Sequence, residues 1–506
     1  MKKFYITTPI YYVNDEPHIG HTYTTVAADI LARWHRLLGE RVFFLTGTDE
    51  HGMKIFQAAQ NASQDTQKYC NEIVVHFKSA WEKMNISYDR FIRTTEKSHI
   101  SSVKKVLSEL HRKDELYFSS YEGLYCIGCE KFLTETDLID GMCPDHRVKP
   151  VVHKEGNYFF KLSGYREKLI NAIQNEDDPN HFEILPQGRR NEIIGKLKTG
   201  LEDISISRAN LPWGILLPFD SKQTTYVWVD ALINYISGIN YEEDETNFKF
   251  WWPTDVHLMA KDILWFHSVI WPAILIAVGL AVPKKIFAHG YFTISGQKMS
   301  KSLGNIISPR ELIDEFGEDA ARFLLMGAFP FGVDGDVTLK NFKLMYNARL
   351  ANNVGNLVSR VFNMVEKYLG GRIEKPAGWS DEVFKQTRLA VEEIYKKFDE
   401  LLIDASQEKI IELSDFGNRY IDRQEPWNLS KKTEDTEKLK LVLYNSLMMI
   451  KELAAYLYPF IPKTSEKIWF ILGEKGKMDE VISSPQEPHF LTGTSLVKPS
   501  PLFPRK

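Results

Sequence analysis

The sequence predicts an α/β fold that carries an inserted unit and ends in an all-α region. Segments with strand and helix periodicity alternate at the start of the 506-residue chain, stop alternating near Phe118 and resume near Tyr226. Strand patterns then almost vanish after about residue 340. With 43% hydrophobic residues, the chain is long enough for about three folded units.

The first unit, residues 1–117, opens in the manner of a Rossmann-like nucleotide-binding sheet. Residues 4–8 predict a strand, and apolar residues at helical spacing between 27 and 38 predict a helix that ends at Gly39. Residues 41–46 predict a second buried strand. Because such a unit binds ligands at the carboxyl end of its first strand, we expect the site in the loop that follows that strand.

The next two ranges are an insertion and the second half of the predicted sheet. Residues 118–225 predict a connective insertion, since Cys, Gly, Pro and charged residues replace the helical pattern there. Residues 226–290 predict the second half of the parallel sheet, with strands at 256–259 and 286–288 on either side of a helix at 263–280.

The last two ranges differ from the sheet. Residues 291–340 begin with a predicted hairpin around Ser295 and Gly296. Residues 341–506 predict a helix bundle with short connections. Its helical patterns fall at residues 350–365, 408–424, 434–457 and 464–472.

Composition excludes several classes of protein. The net charge of −4 provides no overall positive field for nucleic acid, so any RNA contact must be local. The longest apolar stretch, residues 269–282, contains Pro272 and is shorter than the ~20 residues that span a bilayer. The amino terminus lacks a signal-peptide core. We therefore expect a cytoplasmic protein with no membrane partner.

A histidine motif begins the first predicted helix. The segment from Pro17 to His21 follows a strand and contains His18 and His21 three residues apart. A helix amino terminus attracts phosphate, and Gly20 would let a nucleotide approach the backbone closely. The two histidines could instead only cap the helix, and the motif alone leaves that alternative open.

A basic motif follows the predicted hairpin. Lys298 and Lys301 lie in the run Lys-Met-Ser-Lys-Ser, with Gly296 and Gly304 on either side. Two ammonium groups in a movable loop can offset the charge that builds on a pyrophosphate leaving group. A solvated surface lysine pair is the alternative, although the two motifs together, in this order, make coincidence improbable.

These two motifs resemble the HIGH and KMSKS signatures of the class I aminoacyl-tRNA synthetases, without substitution. The resemblance implies that an amino acid carboxylate attacks the α-phosphate of ATP and that the resulting adenylate is transferred to tRNA. It implies catalytic roles for His18, His21, Lys298 and Lys301, with Mg²⁺ on the phosphates. The implied ATP-binding residues are His18, Gly20, His21, Lys261, Asp262, Lys298 and Lys301.

Within that class, two segments resemble those of the methionyl-tRNA synthetases. They are Ile10-Tyr11-Tyr12 and the run from Tyr226 to Tyr235. The resemblance implies that Asp49 holds the substrate ammonium group and that the side-chain pocket is lined by Ile10, Tyr12, Trp228, Ala231, Leu232, Tyr235 and His267. Aromatic rings suit a thioether, because sulfur-to-ring contacts contribute about 0.3–1.5 kcal/mol each. Core packing is the alternative role for Ile10, Ala231 and Leu232.

The insertion carries a zinc-knuckle pattern. Cys126 and Cys129 are followed after thirteen residues by Cys143 and His146, which is the spacing of a closed site with three thiolates and one imidazole. Since all four positions are filled by the protein, we expect a structural zinc ion rather than a catalytic one. Unmetallated cysteines remain the alternative.

The helical region carries a candidate anticodon-binding face. Asn356 and Arg360 lie four residues apart, and Pro426 and Trp427 follow a predicted helix end. Amide and guanidinium groups beside a tryptophan can hold and stack single-stranded bases. The four positions match the anticodon-reading residues of the resembled family, which implies tRNA(Met), initiator tRNA included, as the partner. Core packing of Trp427 and a solvated Arg360 are the alternatives.

Other functions remain as competitors. Leucyl, isoleucyl and valyl enzymes usually carry a larger editing insertion, and cysteinyl enzymes use an open zinc site. A zinc-containing nucleic-acid-binding module would leave the first half of the chain unexplained, and a small-molecule nucleotidylyltransferase would leave the helical region without a role. Because the chain ends at Lys506 without the dimerising module of many members of the family, we expect a monomer.

Overall fold

A six-stranded parallel sheet lies at the centre of the computed structural model, which describes residues 2–126, 131–133, 135–144, 147–294, 297–298, 307–374, 380–475, 478, 496 and 499–506. The strands are β1 (Lys3–Tyr12), β2 (Arg41–Asp49), β3 (Arg90–Arg93), β4 (Leu116–Cys126), β5 (Lys131–Leu133), β6 (Val151–Phe160), β7 (Glu183–Leu185), β8 (Ile204–Ser205), β9 (Ser207–Arg208), β10 (Thr224–Thr225), β11 (Val256–Ala260), β12 (Lys285–His289), β13 (Phe292–Ile294), β14 (Gln297–Lys298) and β15 (Gly335–Asp336).

Helices flank this sheet and make up nearly all of the carboxyl-terminal region. They are α1 (Ile19–Leu37), α2 (Met53–Asn61), α3 (Thr66–Lys83), α4 (Lys97–Arg112), α5 (Arg166–Gln174), α6 (Gln187–Thr199), α7 (Val227–Leu232), α8 (Asn234–Ser237), α9 (Glu245–Trp251), α10 (Trp271–Val278), α11 (Pro309–Phe316), α12 (Glu318–Gly327), α13 (Leu339–Met345), α14 (Gly355–Leu369), α15 (Asp381–Asp399), α16 (Ile403–Gln424), α17 (Pro426–Leu429), α18 (Thr436–Leu457) and α19 (Pro462–Ile471). Two π-helical segments, Phe266–Ile270 and Tyr346–Val354, precede α10 and α14.

The strand order of the main sheet is β3-β2-β1-β11-β12-β7, and every neighbouring pair is parallel. Strands β1, β2 and β3 therefore follow one another outward in one direction, and β11 pairs with the opposite edge of β1. Ligands of such sheets bind beyond the carboxyl ends of the strands at this change of direction. The register between β1 and β2 also shifts between Thr7 and Ile10, which sets the end of β1 apart from its regular part.

The insertion forms a separate antiparallel sheet with the order β5-β4-β6-β8. One strand within the predicted 118–225 insertion belongs to the main sheet instead, because β7 pairs with β12. Three residues, of which only Ile184 is fully buried, are too short a run to show strand periodicity in the sequence.

The carboxyl-terminal region is helical, as predicted, and no strand follows β15 in the described part of the chain. Its core is continuous with that of the first half: α1, α12, α14, α16 and α18 contribute to one hydrophobic cluster. Helices α16, α18 and α19 begin and end within a few residues of the predicted bounds, whereas α15 was not predicted. Among the described residues, no helix is long and apolar enough to cross a membrane.

Candidate functional site

The predicted histidine motif forms the start of α1, directly beyond β1. His18 is the N-cap residue, and its Nδ1 atom accepts the N–H of Gly20 at 3.0 Å. The Nδ1 atom of His21 accepts the N–H of His18 at 3.3 Å, so the two residues cap the helix reciprocally. Their rings stack with centroids 3.9 Å apart and planes inclined by 18°.

Helix capping and phosphate binding are compatible roles for these rings. Because Nδ1 accepts a hydrogen bond in both, the neutral tautomer places the ring proton on Nε2, which is then a donor. Burial, aided by the nearby His18 and Lys54, lowers the pKa of His21 well below its usual value, so this ring is neutral at pH 7. The start of α1 therefore offers neutral N–H donors beside a helix dipole, which suits an anionic ligand.

Close packing against the His18 ring requires glycine at position 20. A Cβ atom at this position would lie 2.9 Å from Cε1 and 3.0 Å from Nδ1 of His18. Any other residue would therefore push the His18 ring away from its stacked position.

The described chain on either side of the basic motif ends at Lys298 and begins again beside the start of α1. Lys298 ends β14, which pairs with β13 as the predicted hairpin requires, while Lys301 and the Lys298 side chain lie outside the described residues. The described chain resumes at Ile307, whose carbonyl accepts the N–H of Ile19 at 3.4 Å. The residue that follows the basic segment thus contacts the first residue of the helix that His18 caps.

Asp49 lies at the carboxyl end of β2, opposite Tyr12 of β1 in the strand register. Its side chain is 4% exposed. The next residue, Glu50, is fully buried and forms a two-point ion pair with Arg93, at 2.6 and 2.8 Å. This pair fixes the chain immediately after Asp49 to the end of β3.

The predicted methionine-pocket residues fall into one hydrophobic cluster, with the exception of Ala231 and His267, which lie beside it on α7 and on the π-helical segment. Leu232 and Tyr235 belong to the buried part of the cluster, and Ile10, Tyr12 and Trp228 pack against it. The Trp228 ring is partly exposed and stacks on Phe266, with centroids 3.9 Å apart and planes inclined by 9°.

A buried hydrogen bond joins Tyr235 of this cluster to His267. The Tyr235 hydroxyl donates to Nε2 of His267 at 2.6 Å, and Nδ1 of His267 donates to the Ile263 carbonyl at 2.9 Å. Burial lowers the pKa of His267 to about 4, so the ring is neutral at pH 7. These two predicted pocket residues are therefore aromatic and uncharged at pH 7, which would suit a thioether.

Lys261 and Asp262 follow the carboxyl end of β11, as predicted. Lys261 forms an ion pair with Asp334, and Asp334 also accepts the Tyr291 N–H at 2.9 Å. Burial opposes ionisation of Asp334, but the hydrogen bonds from Lys261 and Tyr291 lower its pKa. Asp262 is exposed. Lys261 thus has a protein partner, Asp334, whereas the Asp262 side chain is exposed to solvent.

Two of the four predicted zinc ligands are described. Cys126 at the end of β4 and Cys143 are 1% and 0% exposed, form no disulfide, and pack in the same small cluster with Leu133. Cys129 and His146 lie outside the described residues. Two buried thiols in one cluster are compatible with a thiolate-rich zinc site, which remains a prediction.

Two of the predicted anticodon-binding residues, Asn356 and Arg360, lie on a polar seam between α14 and α16, and the other two begin α17. Asn356 donates to Asn418 at 3.2 Å, and Arg360 donates to Asp422 at 2.6 Å. Pro426 is buried and begins α17, and the Trp427 side chain is only partly buried against the core. The seam carries amides, a guanidinium group and carboxylates, which can hydrogen-bond the edges of bases.

Sequence reasoning missed several groups at the site. One is Phe266, which stacks on Trp228. Its position next to His267 in the sequence was a signal that could have identified it. Asp230, between Trp228 and Ala231, binds His51 and His99 through both carboxylate oxygens. No local pattern links these partners, which are 179 and 131 residues apart from Asp230 in the chain.

Comparison with known families gives two matches that together span most of the chain. A model described as tRNA synthetases class I (M) matches residues 4–149 and 136–362. A model described as the anticodon-binding domain of tRNA ligase matches residues 381–494.

Individual relatives agree with these matches. The chain is 44% identical to methionine–tRNA ligase of Caldanaerobacter subterraneus subsp. tengcongensis, over 93% of this chain and 74% of that one. It is 41% identical to methionine–tRNA ligase of Streptomyces coelicolor, over 100% of this chain and 97% of that one. The solved structure of Mycobacterium tuberculosis methionyl-tRNA synthetase in complex with methionyl-adenylate is similar over the whole of both chains, with a TM-score of 0.93 and 36% identity.

Proposed function

This chain belongs to the class I methionyl-tRNA synthetases, and we propose that it performs the reaction of that family with the residues described above. It is a methionine–tRNA ligase: ATP activates L-methionine as methionyl-adenylate, and the methionyl group is then transferred to tRNA. The roles of individual residues, the bound metals and the oligomeric state are parts of the proposal.

One structural observation supports the assignment of the site above the others. The histidine pair at the start of α1 and Asp49 at the end of β2 lie at the carboxyl end of the parallel sheet, and α7, which carries Trp228, is joined to the end of β2 by the contact between His51 and Asp230. A nucleotide site, an ammonium-binding carboxylate and an apolar pocket in one place match the parts of methionyl-adenylate.

In the first step, the methionine carboxylate attacks the α-phosphate of ATP and pyrophosphate leaves. Asp49 would hold the α-ammonium group, and the pocket around Trp228 and Tyr235 would hold the thioether side chain. Together they place the carboxylate for in-line attack, which can account for much of the rate enhancement.

The same step places negative charge on the phosphate oxygens and on the leaving group. His18 and His21 would donate through Nε2 to the phosphates, and Lys298 and Lys301 would stabilise the departing pyrophosphate. Asp262 would accept from the ribose hydroxyls. ATP is expected to enter as its Mg²⁺ complex, which supplies further charge neutralisation.

In the second step, a hydroxyl of the terminal adenosine of tRNA attacks the methionyl carbonyl, and AMP leaves. We propose that Asn356, Arg360, Pro426 and Trp427 bind the anticodon of tRNA(Met), of the initiator as well as the elongator. The exposed part of the Trp427 ring would provide a surface on which a base can stack.

Three further parts of the proposal concern the state of the protein. A structural Zn²⁺ ion would be held by Cys126, Cys129, Cys143 and His146, and it would stabilise the antiparallel sheet of the insertion. We propose a monomer, because the described site residues come together within one chain. We also place the enzyme in the cytoplasm, where the tRNA substrate is found.

ATP–pyrophosphate exchange, with each of the twenty amino acids offered singly and without tRNA, tests reaction and specificity together. Exchange that depends on methionine alone is the expected result. Exchange with another amino acid would contradict the pocket assignment, and no exchange with any amino acid in folded protein would contradict the proposed reaction. Aminoacylation of tRNA(Met) then tests the second step.

A pair of variants tests the role of Asp49. Asp49→Asn removes the charge that would pair with the substrate ammonium, and we expect KM for methionine to rise by at least about tenfold, since a charged hydrogen bond contributes about 1.5–3 kcal/mol. Asp65→Asn is the control, because Asp65 caps α3 outside the site. An unchanged KM in Asp49→Asn would remove Asp49 from the site.

A further inference from the structure

A buried carboxylate joins the elements that form the two sides of the methionine site. Asp230 on α7 is 1% exposed. One of its oxygens lies 2.7 Å from Nδ1 of His51, and the other lies 2.7 Å from Nε2 of His99. Nδ1 of His99 in turn lies 2.8 Å from the hydroxyl of Ser237.

The donors and acceptors of this network follow from the charge on Asp230. Burial alone would raise its pKa, but the electrostatic and hydrogen-bond contributions of His51 and His99 outweigh burial and hold the pKa at about 2. An ionised carboxylate only accepts, so both imidazoles donate to it. His99 can then accept from Ser237 through its remaining nitrogen.

The network connects four elements of the site. His51 follows β2 and lies two residues after Asp49, whereas Asp230 lies on α7 two residues after Trp228. Ser237 ends α8, which also carries Tyr235. His99 on α4 joins α7 to α8, because one ring nitrogen contacts Asp230 and the other contacts Ser237.

We propose that Asp230 is a positioning residue for methionine, which acts through His51 and His99 to fix the end of β2 relative to α7 and α8. The proposal rests on the proposed function, because it assigns the ammonium-binding group to the end of β2 and the side-chain pocket to the two helices. Asp230 itself is too deeply buried, and too fully engaged with imidazoles, to be the partner of the substrate ammonium.

The physical consequence is a fixed separation between two halves of one substrate-binding site. Methionine must be held at its ammonium group and at its thioether simultaneously, so a shift of β2 relative to α7 weakens both contacts. ATP, in contrast, is expected to bind at the start of α1 and at the end of β11, which this network does not touch. Loss of the network should therefore affect methionine more than ATP.

Asp230→Asn is the first test, because asparagine has the same shape but cannot accept from both imidazoles. In pyrophosphate exchange, we expect KM for methionine to rise about tenfold, the equivalent of about 1.4 kcal/mol, with KM for ATP changed by less than about twofold. Glu40→Gln is the matched control: Glu40 accepts from His35 at 2.7 Å in a similar carboxylate–histidine pair that lies at the start of β2, away from the site. The control should leave both KM values unchanged.

A second set of variants separates positioning from general stability. Asparagine at position 51 keeps a donor at the place of Nδ1, whereas leucine does not, so His51→Asn should retain most of the methionine affinity and His51→Leu should lose it. The same reasoning at Nε2 makes His99→Gln the conservative variant and His99→Leu the disruptive one. These pairs also remain informative if Asp230→Asn does not fold.

The outcomes distinguish this proposal from the proposed function. A methionine-specific rise in KM with rescue by the conservative variants supports positioning. Equal KM values for methionine in Asp230→Asn and Glu40→Gln, or equal losses in His51→Asn and His51→Leu, would overturn it while wild-type exchange with methionine still stands. Absence of exchange in the wild type would instead overturn the proposed function.

Discussion

Gly20→Ala tests whether the His18 ring must keep its position at the start of α1. The added Cβ would lie 2.9 Å from Cε1 of His18. Carbon atoms pack at about 3.5–4.0 Å, so the ring must move by at least about 0.5 Å. The ring is held by its stack on His21 at 3.9 Å and by the hydrogen bond from Gly20 at 3.0 Å, and the movement disturbs both.

The effects on stability and on activity should separate. The lost cap destabilises α1 by about 1 kcal/mol, while replacing glycine with alanine in a helix stabilises it by up to about 1 kcal/mol. The free energy of unfolding should therefore change little. A misplacement of about 1 Å near the reacting atoms can lower a rate about 10²-fold, so we expect exchange to fall by about 10- to 100-fold.

Gly188→Ala provides the matched control. Gly188 occupies the same second position of a helix, α6, and a Cβ atom there would have nothing within 4 Å. Urea unfolding and pyrophosphate exchange are measured for both variants. If Gly20→Ala shows the same exchange rate as Gly188→Ala, within about twofold, the position of the His18 ring does not matter for catalysis and its assignment as a phosphate donor fails.

Three other predictions concern separate parts of the molecule. Burial lowers the pKa of His267 to about 4, so the unfolded chain binds up to one more proton below about pH 6.5, and stability should fall by about 1.5 kcal/mol between pH 6.5 and pH 5. In urea unfolding, the free energy of unfolding of His267→Gln should depend less on pH than that of the wild type. The same pH dependence in both proteins would show that His267 is not its cause. Trp427→Ala should raise KM for tRNA about tenfold or more while exchange stays intact, since base stacking contributes about 1–3 kcal/mol. A loss of stability alone would make Trp427 a core residue. Cys143→Ser should lower bound zinc from one ion per chain towards none and lower the Tm of the protein, as elemental analysis and thermal unfolding would show, and full zinc content would remove Cys143 from the ligands.

The sequence predicted the parts of the fold whose periodicity is local. The strands and the first helix around the histidine motif, the hairpin before the basic motif and the helices of the carboxyl-terminal region were all found. The apolar periodicity covered only residues 27–38 of α1, because Thr22, Thr24 and Thr25 read as polar residues although all three are buried, and the start of the helix was indicated by the histidine motif instead. These threonines are accommodated by partners distant in sequence, such as His289, whose Nε2 lies 2.6 Å from the Thr24 hydroxyl.

The candidate site was predictable to the extent that it is encoded by short motifs and by resemblance. The sequence offered helix capping and phosphate binding as alternatives for His18 and His21, whereas the structure shows that Nδ1 of each ring caps the helix, which leaves the ring proton on Nε2 and makes the two roles compatible. The network around Asp230 could not have been predicted, because it exists only after β2, α4 and α7 have come together. Buried polar networks of this kind are products of tertiary structure.

The helix that carries the histidine motif is also tied to the carboxyl-terminal helices. Asp29 in the middle of α1 is fully buried and accepts from Arg33 at 2.8 Å and from Arg322 of α12 at 2.7 Å. Arg322 also donates to the carbonyls of Pro459 and Phe460, in the turn between α18 and α19. A shared hydrophobic core surrounds this network.

Buried charges tolerate little rearrangement, because separating them leaves an unpaired charge at a cost of about 3–5 kcal/mol. A hinge between α1 and the α18–α19 turn would have to break the contacts of Arg322 with Asp29 and with both carbonyls at once. This network therefore resists separation of α1 from the α18–α19 turn. We therefore expect this network to help fix the position of the carboxyl-terminal helices, and with them the proposed anticodon face, relative to the His18 and His21 rings.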